Sequence, residues 1–158
     1  MELAPDDWRR WRELRRAALT QAPEAFGSTL AQWSGPGDTE ERWRARWARV
    51  PHNLVVVRDG LDVAMVSLAA PEGDASPELI SVWVAPEARG SGAADAAVEA
   101  VLACAARAYP GRAVVLSVYE PNHAARRLYA RHGFVDVGPS PDDEGELRML
   151  HRGVSVSG

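Results

Sequence analysis

Two stretches carry residues whose types and order can do chemistry. The first, LISVWVAPEARGSGAADAAV (residues 79–98), is an apolar run that stops at Pro86, passes Arg89, Gly90 and Gly92, and becomes an alanine-rich segment. Glycine enters left-handed backbone without steric cost. Gly90 and Gly92 can therefore make a plain turn, or they can let backbone N–H groups close around an anion at a helix N-terminus. The second stretch, YEPNHAARRLYARHGF (residues 119–134), places Asn122 ahead of a helical segment that carries Tyr129. Two familiar phosphate cradles do not fit the first stretch. A Walker A loop ends in Gly-Lys-Ser/Thr, and the chain has no lysine. A dinucleotide fingerprint asks for glycine or alanine where Asp95 stands. The order that fits is Arg89-x-x-Gly92-x-Ala94, between a strand and a helix.

The elements that must position these residues can be read from pattern and punctuation. Asp6 or Asp7 can cap a helix from Trp8 to Leu19, and Asp38 with Glu41 has capping-box spacing for a helix ending near Arg49. Leu54–Arg58 and Asp62–Leu68 read as strands joined across Asp59-Gly60, a hairpin signal. Glu78–Val84 is the next strand. A helix from Ser91 to Ala108 follows, with Val98, Val101, Leu102 and Ala105 on one face, and Pro110-Gly111 stops it. Ala113–Tyr119 is a strand and His123–His132 a helix that Gly133 can end. Phe134–Val137 and Leu147–Leu150 form a last strand pair, while MELA at the start is too short to assign. Strands interleaved with helices imply an α/β (α+β) domain with a mixed sheet.

Bulk properties narrow the function classes. A length of 158 residues suits one domain spanning 1–158, and 46% hydrophobic with 25% charged residues is ordinary for a globular protein. No apolar run approaches the ~20 residues that cross a bilayer, and no secretory leader pattern is present, so neither a membrane partner nor export is expected. A single cysteine, Cys104, excludes an internal disulfide framework and suits a reducing cytoplasm. A net charge of −4 disfavours a nucleic-acid partner, which would show salt-sensitive affinity.

Taken together, the loop Arg89-x-x-Gly92-x-Ala94 and the later Asn122-x-x-Ala125…Leu128-Tyr129-x-x-x-Gly133-Phe134 resemble the GNAT superfamily of acetyl-CoA-dependent N-acetyltransferases. The likeness is fullest over residues 54–137. It implies a mostly antiparallel central sheet flanked by helices and splayed between the fourth and fifth strands. It also implies an enzyme, bacterial in type, that moves an acetyl group from acetyl-CoA to a primary amine by direct attack in a ternary complex. Main-chain groups of Val82, Trp83 and Val84 would pair with the pantetheine arm. The loop Arg89, Gly90, Ser91, Gly92, Ala93, Ala94 and Asp95 would hold the pyrophosphate, and Asn122 would reach the cofactor or simply cap its helix. Tyr129 would protonate the departing thiolate; the alternative is a core aromatic. Glu78, six residues before Val84 and so on the same face of a regular strand, would accept the amine proton; the alternative is an exposed strand-end carboxylate. Ribosomal-protein acetyltransferases place a glutamate where Ser117 stands, and Glu120 is a weaker candidate base.

The remaining signals resolve to structure. Arg9, Arg10, Arg12, Arg15 and Arg16 read as a solvated helix face, and Trp43 and Trp47 as packing at i, i+4. Family acceptor pockets are built by the first two helices and their loop, which makes Phe26, Trp33 and Trp43 candidate pocket walls. The histidines lack metal-site spacing, so no metal is expected, and Cys104 reads as small core packing. The acceptor, a small molecule or a peptide amine, is left open, as is assembly into a homodimer. A GNAT-fold module that binds acyl-CoA without turnover is the competing function.

Overall fold

The computed structural model describes residues 1–22, 30–141 and 143–153. The elements are β1 (Glu2–Leu3), α1 (Trp8–Gln21), α2 (Glu40–Arg49), β2 (His52–Arg58), β3 (Leu61–Ala69), β4 (Glu78–Val84), α3 (Ala93–Ala108), β5 (Val114–Tyr119), α4 (His123–Arg131), β6 (Val135–Pro139) and β7 (Glu146–His151). The seven strands form one sheet in the order β1-β2-β3-β4-β5-β7-β6, in which the β4–β5 pair is parallel and the others are antiparallel. The expected mixed sheet is thus present, with β1 added: Glu2 and Leu3 pair with Leu54 and Asn53.

Alternation along the central strands separates two cores. Leu54, Val66 and Leu68 face α3 and α4, packing with Val98, Val101, Leu116 and Leu128. Val55 and Met65 face the opposite way, into a core of Trp8, Trp11, Trp33, Trp43 and Trp47 from α1, α2 and their connection. The hairpin between β2 and β3 turns on Asp59 and Gly60, both with positive φ (52° and 76°), as the primed two-residue turn requires.

The layer of α1 and α2 is fixed by polar groups as well as by tryptophans. Arg46 lies buried on α2 and donates to Asn53 Oδ1 at 2.6 Å and Ser67 Oγ at 3.3 Å, and Ser67 Oγ also donates to Asn53 Oδ1 at 2.8 Å. Arg15 is also buried, against the expectation of a solvated arginine face, and donates to Ser81 Oγ at 2.8 Å. Burial lowers both guanidinium values, Arg46 to about 9 and Arg15 to about 10. The outward arginines of α1 are used too: Arg10 pairs with Asp62, and Arg12 and Arg16 with Asp38.

Two expected helix caps are different residues or different bonds. Asp7 makes no cap bond to its helix; its carboxylate accepts the Ala4 N–H at 2.9 Å. Thr39, not Asp38, caps α2 by accepting the Arg42 N–H at 3.2 Å. Asp38 is committed elsewhere, accepting from Arg12 Nε at 2.7 Å, Trp43 Nε1 at 2.8 Å and Arg16 at 3.3 Å. No helix among the described residues is long and apolar enough to cross a membrane.

Asp38 supports a stability prediction. Bonds from Arg12 and then Trp43 hold its carboxyl well below the usual carboxylate range. A depressed folded value means that the stabilisation is complete above the unfolded value of about 4 and is lost as pH falls through the folded one. Asp38→Asn should cost about 1–3 kcal/mol of unfolding free energy at neutral pH. The gap to wild type should narrow steadily in urea titrations below about pH 4.

Candidate active site

The site begins where two strands stop pairing. β4 and β5 share one register pair, Glu78 with Val115, supported by the Val115 N–H to Pro77 carbonyl bond at 3.1 Å. Beyond it they part, and a cleft of about 1170 Å³ opens between them, floored by Leu79 to Val84 on one side and Leu116 to Tyr119 on the other. Backbone groups on the β5-facing edge of β4 therefore meet this cleft instead of a neighbouring strand.

β4 is also irregular within the cleft. Its register with β3 shifts between Met65 and Ser67, and Ser81 sits at φ 59°, left-handed for a residue with a Cβ. The side-chain alternation reverses there. Leu79 packs in the α3-side core and Trp83, four residues on, packs in the tryptophan core. Val82 and Val84 consequently lie on the α3 side with Leu79. Glu78, adjacent to Leu79, faces the side of α1 and α2. The expectation that Glu78 and Val84 share a face is therefore incorrect, because the bulge breaks the two-residue period on which it rested.

The glycine loop follows β4 directly. Gly90 and Gly92 have φ 77° and 86°, and a Cβ at either would meet nothing within 4 Å, so backbone conformation and not crowding calls for glycine. Gly92 caps α3, whose first intrahelical bond joins the Ala96 N–H to the Gly92 carbonyl at 3.0 Å. The N–H groups of Ala93, Ala94 and Asp95 precede that bond and lie beside the cleft. A dipole end with such donors can hold an anion of phosphate type.

The loop's side chains are engaged by the protein. Arg89 donates to Gln21 Oε1 at 2.7 Å, and Trp83 Nε1 donates to the same oxygen at 2.8 Å, so the end of α1 is tied to both β4 and the loop. Asp95 accepts from His132 Nε2 at 2.8 Å and from Arg131 at 3.0 Å; these bonds lower its pKa and join α3 to the end of α4. Ser91 is turned away, its hydroxyl donating to the Ala88 carbonyl and its N–H to the same oxygen, and it does not line the cleft. The structure thus gathers Val82, Trp83, Val84, Arg89, Gly90, Gly92, Ala93, Ala94 and Asp95 around one space and leaves Ser91 outside it.

Asn122 and Tyr129 close the other wall. Asn122 Oδ1 accepts the Ala125 N–H at 3.1 Å and so caps α4, while the residue also lines the cleft. Tyr129 is buried, packs edge-on against Phe134 at 5.9 Å, and lines the cleft as well. Burial pushes its phenol up to about 12, so it stays protonated across the physiological range.

Other candidates fall elsewhere. Glu78 does not line the cleft, and its carboxylate lies 3.8 Å from Arg148 of β7. Ser117 lines it, with its hydroxyl 2.9 Å from that of Ser140. Glu120 does not line it. Trp33 and Trp43 stack at 4.2 Å and are 4% and 0% exposed, so they are core and not pocket walls; Phe26 lies outside the described residues. Gln21, Ser81, Arg127 and Arg131 belong to the site or its frame and escaped sequence reasoning, since only the folded chain brings them to the cleft.

A sheet that opens between two parallel strands beside a glycine-capped helix defines a frame for an extended ligand that carries an anionic group. The chain matches the Acetyltransferase (GNAT) family over residues 8–134 and belongs to it. No curated relative matches the chain. Among solved structures, a GNAT-family acetyltransferase from Streptococcus pneumoniae is similar at TM-score 0.71 and 17% identity, over 95% of each chain. The PaiA N-acetyltransferase of Thermoplasma acidophilum, in complex with coenzyme A, is similar at 0.67 and 16%, over 96% of each. YncA of Salmonella typhimurium, with its cofactor acetyl-CoA, is similar at 0.70 and 18%, over 96% of this chain and 91% of that one.

Proposed function

We propose that the protein transfers an acetyl group from acetyl-CoA to a primary amine by direct attack in a ternary complex. The observation that carries this is the cleft between β4 and β5, which leads past open strand edge to the donor-rich start of α3. The coenzyme complexes of PaiA and YncA support the choice of cosubstrate.

Main-chain groups of Val82, Trp83 and Val84 pair with the pantetheine arm as a missing strand would. N–H groups from Gly92 to Asp95 hold the pyrophosphate. Arg89 serves the loop through Gln21, and the Asn122 amide, with its oxygen engaged in the cap, offers its N–H to the cofactor. A neutral amine attacks the thioester carbon, forming the C–N bond and a tetrahedral oxyanion, whose collapse then breaks the C–S bond. A backbone N–H near Val84 stabilises the oxyanion, and the Tyr129 hydroxyl gives its proton to the leaving sulfur and is reprotonated from solvent. Glu78, on the α1–α2 side, receives the amine proton through water. The amine is that of a small molecule or a peptide.

Gly92→Asp adds both a side chain and a negative charge where the pyrophosphate would sit, and it should abolish calorimetric acetyl-CoA binding while leaving the fold intact by circular dichroism. Binding equal to wild type would remove the loop from the site.

Glu78→Gln should slow turnover about 10²–10⁴-fold at neutral pH, with the deficit shrinking at high pH where the amine deprotonates unaided. A loss of equal size at every pH would give Glu78 a structural role instead.

Tyr129→Phe keeps the ring against Phe134 and removes only the hydroxyl. We expect kcat to fall about one to three orders of magnitude with little change in acetyl-CoA affinity. Wild-type kcat under chemistry-limited conditions would make Tyr129 a core aromatic.

A further inference from the structure

Outside the cleft lining, three groups of metal-ligating type converge. Glu2 on β1, His52 at the start of β2 and Cys104 inside α3 bring a carboxylate oxygen, an imidazole nitrogen and a sulfur within 4.8 Å of one another. His52 Nδ1 lies 2.9 Å from Glu2 Oε2, and Cys104 Sγ lies 3.7 Å from Glu2 Oε1. A tetrahedral zinc with its usual bond lengths sets such ligands about 3.4–3.6 Å apart, so small side-chain adjustments would centre an ion among them.

A fourth residue shapes the group. The other imidazole nitrogen, Nε2, lies 3.1 Å from the Tyr109 hydroxyl, and the two rings meet edge-on at 5.5 Å. A histidine that binds metal through one nitrogen almost always places its other N–H on an oxygen acceptor, which fixes ring and tautomer. Without an ion, Nδ1–H donates to the Glu2 carboxylate and Nε2 accepts from the Tyr109 hydroxyl; with an ion on Nδ1 the ring takes the other tautomer, and Nε2–H donates to the Tyr109 oxygen.

We propose that Glu2, His52 and Cys104 form a zinc site that pins the first strand to β2 and α3. Sulfur, imidazole and carboxylate together suit Zn²⁺ better than the oxygen-seeking Mg²⁺ or Ca²⁺. Glu2 is solvent-exposed, so ions can enter from that side and water can fill the fourth position. On binding, the Cys104 S–H passes its proton to solvent as the S–Zn bond forms, with no change of oxidation state. A coordinated thiol is deprotonated outright. The site is independent of the proposed acetyl transfer, since none of its residues lines the cleft.

The test uses the full chain stripped with a chelator. Titration with Co²⁺ should give a thiolate-to-metal charge-transfer band that saturates at one ion per chain, and Zn²⁺ should displace it. Cys104→Ala should lack the band. Glu2→Gln, an exposed change that spares the core, should weaken Zn²⁺ at least about tenfold in competition with a chromogenic chelator, and Tyr109→Phe about 10–100-fold. A wild-type chain without the band would overturn the proposal. So would a band and a Zn²⁺ affinity that Glu2→Gln and His52→Gln leave unchanged, because the thiol would then be acting alone.

Discussion

The site depends on one omission: β4 and β5 pair at Glu78 and Val115 and nowhere beyond. Parallel strands at the centre of a sheet normally exchange bonds along their length, and a buried backbone group left without a partner costs about 1–3 kcal/mol. Here the loss is tolerated because the parted edges face a cleft that solvent or ligand can fill. β5 is held on its other side by six register pairs with β7, and β4 by its ladder with β3. Each strand is anchored from outside, so the gap between them persists as a fixed feature.

The bulge at Ser81 directs what that gap presents. A left-handed serine costs roughly 1–3 kcal/mol and persists only where its surroundings determine it. Arg15 supplies that determination from α1, buried and bonded to Ser81 Oγ. The bulge sends Trp83 into the core of α1 and α2 and brings Val82 and Val84 round to the α3 side. The layer that stabilises the N-terminal half of the chain thereby sets the conformation of the strand that floors the cleft. Gln21 extends the same coupling to the glycine loop by accepting from both Trp83 and Arg89.

Local chemistry was legible in the sequence, and long-range chemistry was not. Asp59-Gly60 announces its turn because the required φ values belong to those two residues alone. The loop before α3 is similar, since Gly90 and Gly92 advertise left-handed backbone whatever surrounds them. The face of Glu78 was misread for a specific reason. Its face follows from counting by twos, and the count is broken by a register shift that exists only once β4 is paired with β3. Asp38 has the spacing of a cap, yet arginines from a helix that begins thirty residues earlier outbid that role with charge-assisted bonds. Arg15 belongs to a run of arginines that pattern alone assigns to solvent, and only the fold shows which of them points inward.

Buried arginines in the helical layer carry a further consequence. A guanidinium withdrawn from water is costly, and the lowered values of Arg15 and Arg46 register that cost. Apolar side chains of like volume would pack the same space with less penalty, but they would not select one arrangement of Asn53, Ser67 and Ser81. Arg46 ties α2 to β2 and β3, and Arg15 ties α1 to the irregular point of β4. Hydrogen-bond geometry is more exacting than hydrophobic contact, so these two residues define where the helices sit over the sheet. Because β4 and β5 part beyond Glu78, that exactness at Ser81 fixes the conformation of the strand that floors the cleft.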